Sequence, residues 1–204
     1  HTMEAEYGRP QWVFGLSRYA FIDDSLLICA FTLNGLDRLA LVNIDTDEFE
    51  EWPIVYSSIE AVVSDGRGVV ALIASSPERA PEIVMATIQE RQFEVVRRSL
   101  TIDIESGYIS IPDHFEFPTT GNRSAYGFFY PPTNEKYKAG EGSLPPLIVT
   151  SHGGPTAMAS SKLNLSIQFW TSRGFAVVDV DYGGSSGYGR AYRARLNGQW
   201  GIVD

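Results

Sequence analysis

Two segments near the end of the chain decide the fold, PLIVTSHGGP at 146–155 and FAVVDVDY at 175–182. Each contains a continuous apolar run of the kind found in buried parallel strands. The intervening stretch 160–173 predicts a helix, and Gly174 stands where a helix ends in a left-handed residue. Its apolar residues at helical spacing are Leu163, Ile167 and Trp170. Strand, loop, helix and strand within about 35 residues predict a βαβ unit with a parallel sheet.

The segment before this unit predicts an antiparallel pair of strands. YISIPDHFEFPT at 108–119 and SAYGFFYPP at 124–132 alternate like strands, and TGNR at 120–123 is a turn sequence between them. The polar stretch 134–146, rich in Gly and Pro, predicts a surface loop. Residues 106–204 are therefore expected to form one unit, with a parallel sheet covered by helices.

Residues 1–105 alternate short β-type runs with turns, and the order repeats. The first group is YAFIDD at 19–24, LLICAFTL at 26–33, RLALVNI at 38–44 and FEEWP at 49–53, with a turn predicted at 34–37. The second group is IEAVVSDG at 59–66, GVVALIA at 68–74, EIVMATI at 82–88 and FEVVRR at 93–98. Four strands recurring at about 40–45 residues are typical of β-propeller blades, and two blades cannot close a ring. This region is predicted to be a partial propeller of two four-stranded blades, with an eight-stranded sandwich as the alternative.

Charge separates the same two regions. Residues 1–105 hold 18 acidic and 8 basic side chains, a balance of −10, while residues 106–204 hold 7 and 8, a balance of +1. An acidic first half argues against nucleic-acid binding and predicts a solvated acidic surface, with a cationic ligand as the alternative. Because no apolar run approaches the roughly 20 residues needed to span a bilayer, no membrane partner is expected.

The chain has one cysteine and three histidines. Cys29 lies in the apolar run LLICAF and is predicted to be a core residue. A single cysteine forms no internal disulfide, and no charged-then-apolar leader is visible, so the expected location is cytoplasmic. The histidines do not cluster at metal-ligand spacing, so neither a metal nor another cofactor is expected.

His152-Gly153-Gly154-Pro155 follows the first buried strand directly. Two glycines let the backbone turn sharply and bring an amide N–H close to a ligand. In α/β-hydrolases the loop after this strand supplies one donor of the oxyanion hole. A plain turn between strand and helix is the alternative. The position of the motif favours an oxyanion loop, in which His152 is expected to fix the loop rather than act as a base.

Residues 183–187 fit the GxSxG pattern of hydrolase nucleophiles, with Ser185 at its centre. A nucleophile elbow needs a helix that starts immediately after the serine, but the glycines at 187 and 189 disfavour a helix before Arg190. No histidine follows Ser185, although the usual order is Ser, acid, His. Ser185 is therefore predicted to form a turn rather than to attack a substrate. Its neighbours are expected to share or pack on that turn: Tyr182, Ser186 and Tyr188.

Three segments resemble the start of the catalytic domain of the prolyl oligopeptidase family of serine peptidases, in the acylaminoacyl-peptidase and dipeptidyl-aminopeptidase branch. They are FEFPTTGNRSAYGFFYPPTN at 115–134, PPLIVTSHGGPT at 145–156 and FAVVDVDYGGSSGYGRAYRARLNGQWGIVD at 175–204. The blade-like repeats are similar to the last part of that family's propeller. The resemblance implies a mixed β and α/β fold, with two β-propeller-like blades followed by an incomplete α/β-hydrolase domain. It also implies hydrolysis of short peptides by acyl transfer with a Ser-Asp-His triad.

The resemblance further implies roles for the two loops. Residues His152 to Pro155 match the family's oxyanion loop, and related branches place a Tyr hydroxyl near it, where this chain has His152. The segment DYGGSSGYGR at 181–190 matches a loop that shapes the rim of the site without supplying the nucleophile. This puts three residues on the rim: Tyr182, Ser185 and Tyr188. Because the family's serine, Asp and His come further on, the chain is expected to be an inactive fragment with no catalytic residue of its own.

Two rival functions come from other classes. A small esterase would use Ser185 with His152 or His114 as base. A non-catalytic β-rich interaction module would use the HGGP loop only as structure. Whatever the function, the open blade edges and the unfinished parallel sheet of the predicted partial propeller and α/β unit are expected to favour self-association.

Two carboxylate pairs complete the candidates. Glu50-Glu51 resembles the paired acids with which dipeptidyl aminopeptidases hold a substrate's amino group. Adjacent residues in a strand point to opposite faces, however, so a strand-end surface is predicted. Asp179 and Asp181 share a face at the end of the second buried strand, and they are expected to anchor the following loop by hydrogen bonds.

Overall fold

The computed structural model describes residues 3–9, 13–101, 104–154 and 157–204, which form mostly β-sheet with few helices. The first sheet contains β1 Tyr19–Phe21, β2 Leu26–Leu33, β3 Leu36–Asn43 and β4 Glu48–Trp52. The second contains β5 Ser58–Ser64, β6 Val69–Ser76, β7 Arg79–Thr87 and β8 Glu94–Arg98. The third contains β9 Asp113–Thr119, β10 Arg123–Tyr130, β11 Leu147–Ser151 and β12 Ala176–Asp181. Helix α1 is Leu165–Thr171, α2 is Gly189–Arg193, and short 3-10 turns lie at Ser106–Tyr108 and Ala194–Leu196.

The first two sheets are antiparallel meanders, in which each strand pairs with its neighbours along the chain. All eight strands lie where the alternation of residues predicts them. The turn after β2 is shorter than the predicted 34–37. Asn34 and Gly35 have φ of +51° and +73°, the left-handed pair of a two-residue hairpin turn. Leu36 and Asp37 consequently belong to β3.

The first and second sheets pack against each other and share one core. Its fully buried members include Ile28 and Leu39 from the first sheet and Ile59, Val70 and Val84 from the second. Neighbouring propeller blades and the two sheets of a sandwich both pack in this way, so the propeller interpretation stays a prediction.

The second sheet ends in an open edge. Every residue of β8 is exposed, and among the described strands β8 pairs with β7 alone. Apolar side chains also stand exposed on the sheet face away from the core, namely Val63, Ile73, Ile83 and Met85. These are the surfaces through which the predicted self-association would act.

The third sheet has the order β11-β12-β10-β9, with β11 and β12 parallel and the other pairs antiparallel. The antiparallel pair and the parallel strands of the βαβ unit are thereby confirmed. The prediction that β11 is buried was wrong, since Leu147 is 54% and Val149 63% exposed. Because β11 is the edge strand, it has a neighbouring strand on one side only.

Helix α1 is half as long as the predicted 160–173. The Asn164 side chain accepts hydrogen bonds from the amides of Ser166 and Ile167 and so begins the helix at Leu165. The residues before it run beside the second sheet, where the Leu163 amide donates to the Ser76 carbonyl at 2.8 Å. Neither described helix, of seven and five residues, has the length to cross a membrane.

Candidate active-site loops

The loop after β11 presents two glycines at the carboxyl end of the strand. Gly153 and Gly154 are exposed, and no described residue accepts a hydrogen bond from either backbone N–H. A Cβ added at Gly153 would meet nothing within 4 Å, while one at Gly154 would lie 3.2 Å from the Tyr182 hydroxyl. Unpaired amides at such a position can hold a negatively charged oxygen. Pro155, the last residue of the predicted oxyanion loop, lies outside the described residues.

His152 ties this loop to the second loop, residues 182–188. Its Nδ1 lies 2.9 Å from the Gly153 carbonyl oxygen, and its Nε2 lies 2.6 Å from Ser185 Oγ. The Tyr182 ring stacks on the imidazole with centroids 4.4 Å apart, and its hydroxyl lies 3.3 Å from Nδ1. The two loops are thus joined into one hydrogen-bonded unit.

The contact between His152 and Ser185 is one that a catalytic serine would need, but the arrangement differs from a triad. In a triad the carboxylate holds Nδ1 while Nε2 faces the serine. Here Asp181 Oδ1 lies 3.8 Å from His152 Nε2. This nitrogen is also the one that contacts Ser185 Oγ, so the carboxylate does not lie at Nδ1. Ser185 has 0% exposure. Its Oγ is therefore buried rather than at a surface where a substrate carbonyl could reach it, whereas the sequence predicts Ser185 on the rim of the site.

Asp181 ends β12 and anchors the second loop. Its Oδ1 accepts the Ala159 amide at 2.7 Å, and its Oδ2 accepts the Tyr188 hydroxyl at 2.7 Å. Its backbone carbonyl accepts the Tyr192 hydroxyl at 2.7 Å. Burial raises the pKa of this carboxyl from 3.8 to about 7, although the two hydrogen bonds favour the charged form.

Tyr188 is packed in an aromatic cluster rather than free at the surface. Its ring stacks on Tyr126 with centroids 4.2 Å apart, and the His114 and Tyr192 rings lie 5.8 Å and 5.2 Å away. Its hydroxyl lies 3.2 Å from His114 Nε2, and burial lowers the pKa of that histidine. His114, the other base considered for an esterase, thus contacts Tyr188 in this cluster.

Known proteins share sequence and structure with this chain. Residues 161–204 match the prolyl oligopeptidase family. The chain is similar to a puromycin-hydrolyzing peptidase of Mycobacterium tuberculosis, with 35% identity and a TM-score of 0.93 over 100% of this chain and 31% of that one. A second solved structure, a puromycin hydrolase, gives 30% identity and a TM-score of 0.89 over 99% and 30%. The match assigns residues 161–204 of this chain to the prolyl oligopeptidase family.

A relative with a curated name is the acylamino-acid-releasing enzyme of Arabidopsis thaliana, 26% identical over 129 residues. That match covers 63% of this chain and 15% of the plant enzyme. The chain thus spans less than a third of the length of all three relatives. The resemblance seen in the HGGP and YGGSSGYGR segments is confirmed at the level of the family, while the roles of individual residues in these loops stay predictions.

The acids compared with the family's amino-group anchors have other partners in this chain. Glu50 forms an ion pair with Arg91, and Glu51 lies 3.1 Å from Arg38. All four side chains are exposed. The structure thus places Glu50 and Glu51 on the strand-end surface, each beside an arginine.

One contact that the sequence did not reveal joins the second loop to the first sheet. The Gly35 amide donates to the Gly187 carbonyl at 3.2 Å, and a Cβ added at Gly35 would lie 2.6 Å from the Tyr188 hydroxyl. The Asn-Gly turn signals a hairpin in the sequence, but only the approach of a loop about 150 residues away explains why this turn is crowded.

Replacing Gly35 with alanine is expected to lower the free energy of unfolding by about 2–3 kcal/mol, from left-handed strain and the clash with Tyr188. Gly66→Ala is the matched control, because Gly66 has φ of +70° and nothing within 4 Å of an added Cβ. It is expected to cost about 1 kcal/mol. Urea denaturation measures the free energy of unfolding of both variants. Equal losses of free energy in the two would show that the contact with Tyr188 does not contribute to the effect of Gly35→Ala.

Proposed function

We propose that this chain provides the oxyanion side of the active site in a serine peptidase that cleaves short peptides by acyl transfer. The observation that carries the proposal is the pair of exposed amides at Gly153 and Gly154, which no described residue bonds and which lie at the carboxyl end of a parallel strand. Similarity at 35% identity to a peptidase named for puromycin hydrolysis supports it. In this proposal residues 106–204 begin an α/β-hydrolase domain, and residues 1–105 are two blades of a propeller.

In the same proposal, the second loop supports the first without supplying the nucleophile. His152 bridges the loops through Ser185 Oγ, and Tyr182 stacks on His152. Tyr182 and Tyr188 form the rim, and Ser185 supports it from below. The chain by itself is expected not to turn over substrate, because Ser185 is buried and His152 Nδ1 contacts a backbone carbonyl rather than a carboxylate.

The hydrogen bond between His152 and Ser185 is the one observation that favours the esterase alternative. An assay of the 204-residue chain with aminoacyl-nitroanilides and short esters separates the two. Turnover that disappears in Ser185→Ala would establish the esterase and contradict the proposal. Absence of turnover in the chain and in the variant is the expected result.

In the whole peptidase, removing the donating amide is expected to lower kcat by about 10²–10³-fold, since an oxyanion donor acts mainly in the transition state. Proline has no backbone N–H, so Gly153→Pro and Gly154→Pro test the two amides one at a time. Steady-state kinetics with an aminoacyl-nitroanilide should show the loss in one of them, with KM changed far less.

Gly140→Pro is the control, because Gly140 also lies in an exposed loop before the site and has no left-handed φ. It should leave kcat within about twofold, and Ser185→Ala should keep most of the turnover. Wild-type kcat in both HGG variants would contradict the assignment of this loop to the oxyanion hole.

A further inference from the structure

A cavity of ≈ 650 Å³ lies between the start of the chain, the first sheet and the second loop. Ala157 and Met158, which come shortly after the candidate oxyanion loop in the chain, line it. The Ala157 carbonyl accepts the Ser186 amide at 3.0 Å, which ties this wall to the second loop. The cavity is therefore lined by residues that stand three and four positions after Gly154 in the chain.

The charged groups around the cavity leave it positive. Four arginines line it: Arg9, Arg18, Arg190 and Arg193. Glu6 also lines it and pairs with Arg193, and Asp37 binds Arg9 and Arg18 from behind. A third carboxylate lies beside α2, since Glu4 Oε2 would be 2.9 Å from a Cβ added at Gly189. Four guanidinium groups thus stand against three carboxylates, an excess of one positive charge in a concave site that favours an anion.

The Arg190 guanidinium is the group in this cavity that is free to bind a ligand. Arg190 is exposed, it lines the cavity, and no described residue forms a hydrogen bond or an ion pair with its guanidinium group. Arg193 stands three residues later on α2, on the same helix face, and only its Nη1 has a partner, Glu6. Two guanidinium groups with free N–H donors on one wall are suited to a carboxylate, which accepts paired hydrogen bonds from arginine.

The rest of the lining is largely apolar. Tyr7, Val13, Leu16 and Met158 supply apolar surface beside the arginines. A ligand that fits both features carries a carboxylate at one end and an apolar side chain next to it. The last residue of a short peptide has this chemistry.

We propose that this cavity binds the free C-terminal carboxylate of short peptides, with Arg190 and Arg193 as its donors and an apolar last side chain against Tyr7 and Leu16. The inference rests on the proposed peptidase function for its class of ligand. It adds a preference for short peptides with a free carboxyl end and an apolar last residue.

The test is an NMR titration of the ¹⁵N-labelled 204-residue chain with Ala-Ala-Phe as free acid and as C-terminal amide. The acid is expected to bind about tenfold more tightly than the amide, which corresponds to about 1.4 kcal/mol, and to shift amide signals near Arg190 and Gly187. Arg190→Gln should abolish this difference, because it removes a charge that has no structural partner. Arg173→Gln, another exposed arginine on a helix end, should leave it unchanged.

Equal affinity for acid and amide, binding of neither peptide, or shifts confined to other surfaces would each overturn the proposal. Inorganic phosphate that binds as tightly as the acid would also overturn it, by revealing a general anion site. The titration needs no turnover. It can fail while the Gly→Pro variants still lose kcat, and it can succeed while they keep kcat, so the two proposals fail separately.

Discussion

Replacing Asp37 with asparagine is expected to lower the free energy of unfolding by about 3–5 kcal/mol, because it leaves a buried guanidinium without its counter-charge. Asp37 is 4% exposed and Arg18 is 4% exposed. Both Nη atoms of Arg18 donate to Asp37 Oδ1 at 3.1 Å, and Thr32 Oγ1 donates to the same atom at 2.5 Å. Asp37 Oδ2 accepts a hydrogen bond from the Ile59 amide at 2.7 Å, and this bond links the first sheet to β5 of the second.

Urea denaturation at neutral pH measures this loss. Asp24→Asn is the control, since it makes the same chemical change at an exposed position between β1 and β2, and it should stay within about 0.5 kcal/mol of wild type. A loss below about 1 kcal/mol in Asp37→Asn would mean that the neutral amide satisfies Arg18 as well as the carboxylate does.

Stability is expected to fall as the pH rises from 4 to 8 because of Asp181, whose pKa burial raises from 3.8 to about 7. Between these two values the folded state holds a proton on Asp181 that the unfolded state has lost. Since stability falls with pH wherever the folded state binds more protons, this carboxyl removes about 4 kcal/mol across the window. Below pH 3.8 Asp181 is protonated in both the folded and the unfolded state, and the protein keeps all of the stability that it loses at higher pH.

Asp181→Asn isolates this contribution. Asparagine stays neutral at every pH, accepts the Ala159 amide through Oδ1, and can donate to the Tyr188 hydroxyl through its amide nitrogen. Denaturation of both proteins at several pH values should show the variant gaining on wild type by about 3–4 kcal/mol from pH 4 to pH 8. A difference that does not change with pH would show that Asp181 has the same proton affinity folded and unfolded.

Much of the fold follows from local patterns in the chain. Alternation of apolar and polar residues predicts β2, β3, β6 and β7 to within a few residues, because a strand with one face in a core needs a period of two. The Asn-Gly and Gly174 positions mark a hairpin and a helix end for a similar reason, since both need left-handed backbone.

Other features of the fold depend on contacts with residues far away in the chain, so local patterns did not predict them. Apolar content predicts β11 as a strand but not as an exposed edge, because burial depends on which strands flank it. Residues 160–164 have helical spacing, yet β6 accepts the Leu163 amide and Asn164 caps the helix late. Asp37 lies in a segment predicted as a turn, and its burial became evident only with Arg18 and Ile59 around it.

The sequence by itself determined the family resemblance and the strand pattern, since these depend on residue order and on short-range backbone preferences. The tertiary structure decided what the GxSxG segment is. It buries Ser185 in contact with His152 and packs Tyr188 against Gly35. It also places Asp181 beside Nε2 of His152, whereas in a triad the carboxylate contacts Nδ1. These outcomes rest on contacts between residues 29 to 153 positions apart in the chain, and the pattern of neighbours along a chain does not encode such distances.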